Sequence, residues 1–163
     1  MNRKILLVGQ APSRSAGKER AFDGPSGRRL AKLAGIEFEE LFERLDTVNL
    51  LARWPGKHGG KYAWREKGDR FPIARAKRAA KRISRMFGRY RVVVLCGRRV
   101  ARAFAFPKYV RGIELRAPLR TNDAWVLTIP HPSGCNLLYN DRGVRTTVRE
   151  FLNAAFAIAS GCE

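Results

Sequence analysis

The sequence predicts an α/β fold, a three-layer sandwich in which a central four-stranded parallel sheet is flanked by helices. Four short apolar runs predict the sheet: Lys4–Gly9, Asp46–Leu51, Arg91–Cys96 and Trp125–Ile129. They are rich in Val, Ile and Leu and do not alternate with polar residues, the pattern of strands covered on both faces. Helical stretches separate them, and this alternation predicts layers of helix on a parallel sheet. The chain has 163 residues, 45% of them apolar, which suits one domain spanning 1–163 around one core. No internal repeat or low-complexity segment divides it.

The first run enters Gly9-Gln10-Ala11-Pro12-Ser13. A helix follows over Pro25–Ala34, with Gly24 as its N-cap and Pro25 at the first helical position, and a second helix spans Phe38–Leu45. The second run carries Asn49 in an apolar stretch and enters Arg53-Trp54-Pro55-Gly56. Arg53 to Phe71, rich in Gly, Lys and Arg, reads as a loop. The next helix is expected over Ile73–Arg89. There Ile73, Ala76, Ala80, Ile83 and Phe87 recur at spacings of three and four and form one face. Arg75, Arg78, Arg82, Arg85 and Arg89 recur two positions out of step, about 200° around the axis, so they form the opposite face. The third run ends at Cys96-Gly97 and opens a helix. The fourth ends in Pro130-His131-Pro132-Ser133-Gly134-Cys135-Asn136. A final helix runs from Asp141, its N-cap, to Ala159.

Charge narrows the function. Lys and Arg number 33 against 14 Asp and Glu, a net charge of +19. Such a surplus repels itself in the folded state and points to a polyanionic partner, DNA or RNA. Lys61 to Arg102 holds fifteen basic and two acidic residues. Solvated helix faces usually mix signs, so a face of one sign favours phosphate contact by Arg75, Arg78, Arg82 and Arg85. A membrane partner is not expected, because no long apolar helix with a basic flank and no run of membrane-spanning length occurs. Ile5-Leu6-Leu7-Val8 is too short for a signal-peptide core; a cytoplasmic, nucleoid-associated setting and a monomer are expected. Cys96, Cys135 and Cys162 are odd in number and form no C-x-x-C pair, which supports neither a zinc site nor a disulfide framework. Cys96 reads as core.

Ligands of open α/β sheets bind at the carboxyl ends of the strands, and there glycine and proline gather beside the most distinctive polar residues. Familiar loops are excluded. Gly17-Lys18 lacks the spacing of a phosphate-binding P-loop, no G-x-G-x-x-G follows a strand, and Ser133 beside His131 lacks the G-x-S-x-G of a hydrolase elbow.

Gly9-Gln10-Ala11-Pro12-Ser13 and His131-Pro132-Ser133-Gly134 resemble the two signature motifs of uracil-DNA glycosylases. The first is similar to the G-E-A-P-G of the iron–sulfur branch, family 4, and to the G-Q-D-P-Y of the best-known branch. The second is similar to their H-P-A or H-P-S loop. Phe22-Asp23-Gly24-Pro25-Ser26-Gly27-Arg28-Arg29-Leu30 resembles the F-V-G-x-A-G-x-L-L of family 4, and Thr47 to Gly56 its T-N-V-V-K-C-R-P-P-G. The order and spacing hold along nearly the whole chain.

The resemblance implies an enzyme that extrudes a base from DNA, double- or single-stranded, and cuts its glycosidic bond. It implies that Phe22 stacks on the base, that the Asn49 amide reads its edge, and that the Gly9, Ala11 and Pro12 backbone lines the pocket. His131 would stabilise the departing base anion and Gln10 would position water. Ser133, Gly134 and Asn136 would meet DNA, and Leu137 or Leu138 would wedge into the duplex. Two departures stand out. The four cluster cysteines are missing, with Ala52-Arg53-Trp54 where family 4 has C-R-P, so no cofactor is expected. The acid of the first motif is missing too: Gln10 stands at the family 4 Glu and Ala11 at the Asp of the best-known branch. A non-catalytic DNA- or base-binding protein on the same fold is the alternative reading, and an enzyme acting on RNA or a free nucleotide is a third.

Overall fold

A computed structural model of the chain describes residues 5–14, 20–57, 69–105 and 124–161. Lys4, the Gly17-Lys18 pair, Lys61 and Cys162, named above, lie outside the described residues, as does the middle of the Arg53–Phe71 loop. The strands are β1 (Ile5–Gly9), β2 (Asp46–Asn49), β3 (Val92–Cys96) and β4 (Trp125–Ile129). The helices are α1 (Pro25–Ala34), α2 (Phe38–Arg44), α3 (Ile73–Ser84), α4 (Arg98–Ala103) and α5 (Arg142–Ser160). The sheet is parallel throughout, in the order β2-β1-β3-β4. The expected sandwich is therefore the fold.

The apolar residues of β1, β3 and β4 give the sheet two hydrophobic faces, while β2 (Asp46–Asn49) is a half-buried edge strand. Leu6, Val8, Val93, Leu95 and Val126 pack with Ala76, Ala79, Ala80 and Ile83 of α3 and Val100 of α4. Ile5, Leu7, Val92, Val94, Leu127 and Ile129 pack with Leu30 of α1, Leu41 of α2, and Phe151 and Leu152 of α5. Each face excludes water from a separate core, and this burial is the main favourable term in folding. The small residues on the inner side of α3 fit it closely to the sheet.

Local chemistry sets the ends of the elements. Gly24 and Pro25 open α1 as expected, and Gly35, in the left-handed conformation, closes it. Asp141 caps α5 by accepting the Val144 N–H at 2.9 Å. The helix expected over Ile73–Arg89 is shorter. It stops at Ser84, where the Ser84 hydroxyl donates to the Lys81 carbonyl and Arg85 and Met86 tighten into i−3 bonds. Phe87–Arg89 then forms a 3₁₀ turn, which keeps Phe87 in the core at a similar angle. β2 also stops two residues early, at Asn49. Leu50 and Leu51 still donate to the Gly9 and Gln10 carbonyls at 3.0 Å, so the loops after β1 and β2 leave the sheet side by side. α2 ends one residue early and α5 one residue late. Among the described residues, no helix is long and apolar enough to cross a membrane.

Candidate functional site

Gly9 ends β1 and pairs in register with Asn49 at the end of β2. Gly9 is buried, and a Cβ placed on it would collide with Asn49 Oδ1 and lie 2.9 Å from Phe22 Cζ. Glycine is thus the residue that lets an amide and an aromatic ring close over this strand end. Asn49 is half-buried, and its side-chain amide makes no hydrogen bond among the described residues. Val48 packs toward α3, so the alternation along β2 turns Asn49 to the opposite face of the sheet. Phe22 packs against that same opposite core.

Phe22 holds its ring there from an unusual backbone, with φ +65°. Left-handed φ is a genuine outlier for a bulky side chain. Its carbonyl accepts the Gly24 N–H at 2.9 Å and rests against Gly27 of α1, where any Cβ would strike it. Gly27, without a side chain, therefore leaves room for the Phe22 carbonyl at the start of α1.

A second pair stands two strands away. Gly97 follows β3 with φ +98°, and a Cβ there would lie 2.9 Å from His131 Cβ. The Gly97 N–H donates to the Ile129 carbonyl at 2.8 Å, tying this turn to the end of β4. His131 itself is tightly held. The Ser133 N–H donates to His131 Nδ1 at 3.2 Å, and the Asn136 side-chain amide donates to the His131 carbonyl at 2.8 Å. Arg29 of α1 donates to the Ser133 carbonyl at 2.7 Å, and the buried Tyr139 hydroxyl donates to the Pro130 carbonyl at 2.7 Å. Because Nδ1 accepts, the neutral ring carries its proton on Nε2. Burial, and then the nearby Arg99 guanidinium, hold the imidazole pKa below its ordinary 6.5. His131 is thus a neutral ring presenting an N–H at the sheet edge.

The remaining expected residues fall into two groups. Gln10, Ala11 and Pro12 are half-buried in the loop after β1, Ala11 against the α3 core. The Gln10 backbone is fixed by Leu51, and its side-chain amide makes no hydrogen bond among the described residues. Ser133 braces the His131 loop from both sides, and Asn136 caps a 3₁₀ turn at Leu137–Asn140 by accepting the Leu138 N–H. Gly134 is exposed. Leu137 and Leu138 are 74% and 56% exposed, so neither is a core residue. Arg75, Arg78, Arg82 and Arg85 form a separate group on α3 and the turn after it, lining a concavity of about 540 Å³ with Lys81. Sequence reasoning missed Gly27, Gly97, Arg29, Arg99 and Tyr139.

The buried Cys96 thiol is pushed up in pKa by desolvation, and Cys135 is exposed. Among the described residues, no group of three His, Cys, Asp or Glu side chains could hold a metal. These donors do not fit a cluster that needs four thiolates.

The sequence profile of the Uracil DNA glycosylase superfamily matches residues 1–155. No curated protein matches the chain.

Proposed function

The chain belongs to the uracil DNA glycosylase superfamily, and from that premise we propose that it excises uracil or another modified pyrimidine from DNA. The observation that carries this reading is the pairing of Asn49 with Gly9 and of His131 with Gly97. β1 and β3 are neighbours, with Val8 opposite Leu95, so the two glycine-floored positions lie on adjacent chain segments, Gly97 one residue farther along than Gly9. A planar base entering there meets an unbonded amide on one side, an imidazole N–H on the other and the Phe22 ring. Asn49 offers one donor and one acceptor to the O4 and N3–H of uracil.

In the proposed reaction the bond between the sugar C1′ and the base nitrogen breaks, and its electron pair stays with the base. His131 Nε2–H donates to the base O2 and stabilises the anion. A water held by Gln10 adds to C1′ and releases its proton to solvent. The base leaves after taking up a proton. Gln10 accepts and donates hydrogen bonds but takes no proton, so the leaving-group half of the reaction carries the catalysis. Leu137 fills the gap in the duplex, while Ser133, Gly134 and Asn136 lie along its backbone. Arg75, Arg78, Arg82 and Arg85 add a DNA-binding face for phosphates, apart from the base pocket. The enzyme is closest to the family 4 type without its cluster cysteines. It works as one domain over residues 1–163, as a monomer, in a nucleoid-associated cytoplasmic setting.

The missing acid favours a second reading, a protein that binds a flipped base without cutting. An abasic-site assay separates the two, on oligonucleotides carrying uracil, hypoxanthine, hydroxymethyluracil or only normal bases. Cleavage supports the glycosylase. Tight, base-selective binding without abasic product supports the binding protein.

A further inference from the structure

We infer that the outer face of α3 is a second DNA-binding surface, holding phosphates of a segment other than the one whose base enters the sheet edge. The inference rests on the reading of that edge as the base-binding site. From Phe71 to Tyr90 the chain has seven basic residues and no acidic one. Arg75, Arg78, Lys81, Arg82 and Arg85 line one concavity, and none makes an ion pair or side-chain hydrogen bond among the described residues. Several arginines elsewhere are engaged: Arg29 with Ser133, Arg99 with the Asp69 carbonyl, Arg145 with Tyr139 and Arg149 with Leu33. The α3 cations hold no internal structure, and their mutual repulsion is relieved by a bound polyanion.

Their place in the fold separates them from the edge. α3 covers the sheet face lined by Leu6, Val8, Val93 and Leu95, whereas Phe22 and Tyr139 belong to the core on the other face. α3 also runs back from the carboxyl end of the sheet toward the start of β3, about 18 Å for its twelve residues. A duplex with one base in the edge therefore meets only the beginning of the stripe. Arg75 to Arg78 and Arg78 to Arg82 advance about 4.5 Å and 6 Å along the helix, between one and two phosphate steps of about 3.4 Å each. A lipid surface fits less well. The apolar side of α3 is spent on the sheet, and Met86, 37% exposed, is the one large apolar side chain that the stripe leaves in solvent among the described residues.

The test uses the full chain and two short duplexes with donor and acceptor dyes, one carrying an uncleavable abasic-site analogue and one undamaged. Chain saturated with the analogue duplex is expected to bind the undamaged duplex and give energy transfer. Arg78→Ala with Arg82→Ala, checked for folding by circular dichroism, should weaken that second binding by roughly tenfold. It should also flatten the log–log salt slope by about 1.8, two contacts at about 0.9 each. Three results overturn the inference: exclusion of the second duplex by the first, second binding unchanged in the variant, or displacement of the second duplex more strongly by duplex RNA or anionic vesicles than by DNA. If the analogue is not preferred over undamaged DNA, the reading of the edge fails. The stripe is then judged by stoichiometry, two undamaged duplexes per chain supporting it and one overturning it.

Discussion

The side-chain oxygen of Asn49 occupies the space in which a side chain on Gly9 would begin, so the two residues fit together only because one of them has none. Gly9→Ala forces the Asn49 amide and the Phe22 ring apart at the end of a buried strand. Overpacking of this kind costs about 1–3 kcal/mol. The variant should melt at a lower temperature and lose its preference for a uracil-like base over a normal one. A variant that is destabilised yet discriminates as well as the wild type would separate Gly9 from base recognition.

Asn49→Asp exchanges an amide donor for an acceptor at nearly constant volume. Binding of a uracil-like edge should weaken by about 1–3 kcal/mol, the penalty for leaving buried polar groups unpaired, while a cytosine-like edge gains relative to it. Competition binding with oligonucleotides differing in one base measures this. An unchanged order of preference would mean that Asn49 does not read the base.

Much of this arrangement was legible in the sequence. Strands covered on both faces are apolar without a break, so β1 and β3 announced themselves, and the residues beyond them then fell at the sheet edge. Other features carry no local signal. Phe22 gives no sign of its left-handed backbone, whose carbonyl finds room only against Gly27 of the next helix. Gly97 is one glycine among fifteen until His131 is seen against it. Arg99 meets His131 only through the pairing of β3 with β4. The early end of α3 was hidden because a 3₁₀ turn continues nearly the same spacing of arginines and apolar residues.

In the proposed reaction His131 stabilises charge that develops only as the base departs, so its loss should be felt in bond breaking more than in binding. His131→Ala should slow single-turnover cleavage by roughly 10²-fold or more and barely change affinity for an uncleavable abasic-site analogue. Equal losses in both would make His131 a support for its loop.

Acid should switch the site off. Burial first, and Arg99 second, lower the His131 pKa, so the folded state favours the neutral ring. The stabilisation this gives is complete above the unfolded pKa of 6.5 and is lost as pH falls from there toward the folded value. A proton on Nδ1 would also face the Ser133 N–H and break that bond. Single-turnover rates should therefore be flat at neutral pH and decline in acid. Arg99→Gln removes the second cause and should move the acid limb to higher pH. A limb that stays in place in that variant would show that Arg99 does not tune His131.

By the resemblance to family 4, Gln10 stands at the place of a Glu, on a backbone fixed by its bond to Leu51. Gln10→Glu keeps the side-chain length and adds a proton acceptor for the attacking water. The carboxylate also stabilises the positive sugar ring that forms as the base leaves. Repulsion from DNA phosphates opposes this, and the high positive charge of the chain offsets it. Since each 1.36 kcal/mol is about tenfold in rate, even part of this gain is measurable. Gln10→Glu should raise single-turnover cleavage of uracil-containing DNA several-fold, or create it where the wild type has none. Saturating protein is needed, so that weaker binding does not mask faster chemistry. A variant that folds and binds DNA but loses wild-type cleavage would show that the amide itself is required. Gln10 would then be reading the base or the sugar, and the water would be held elsewhere.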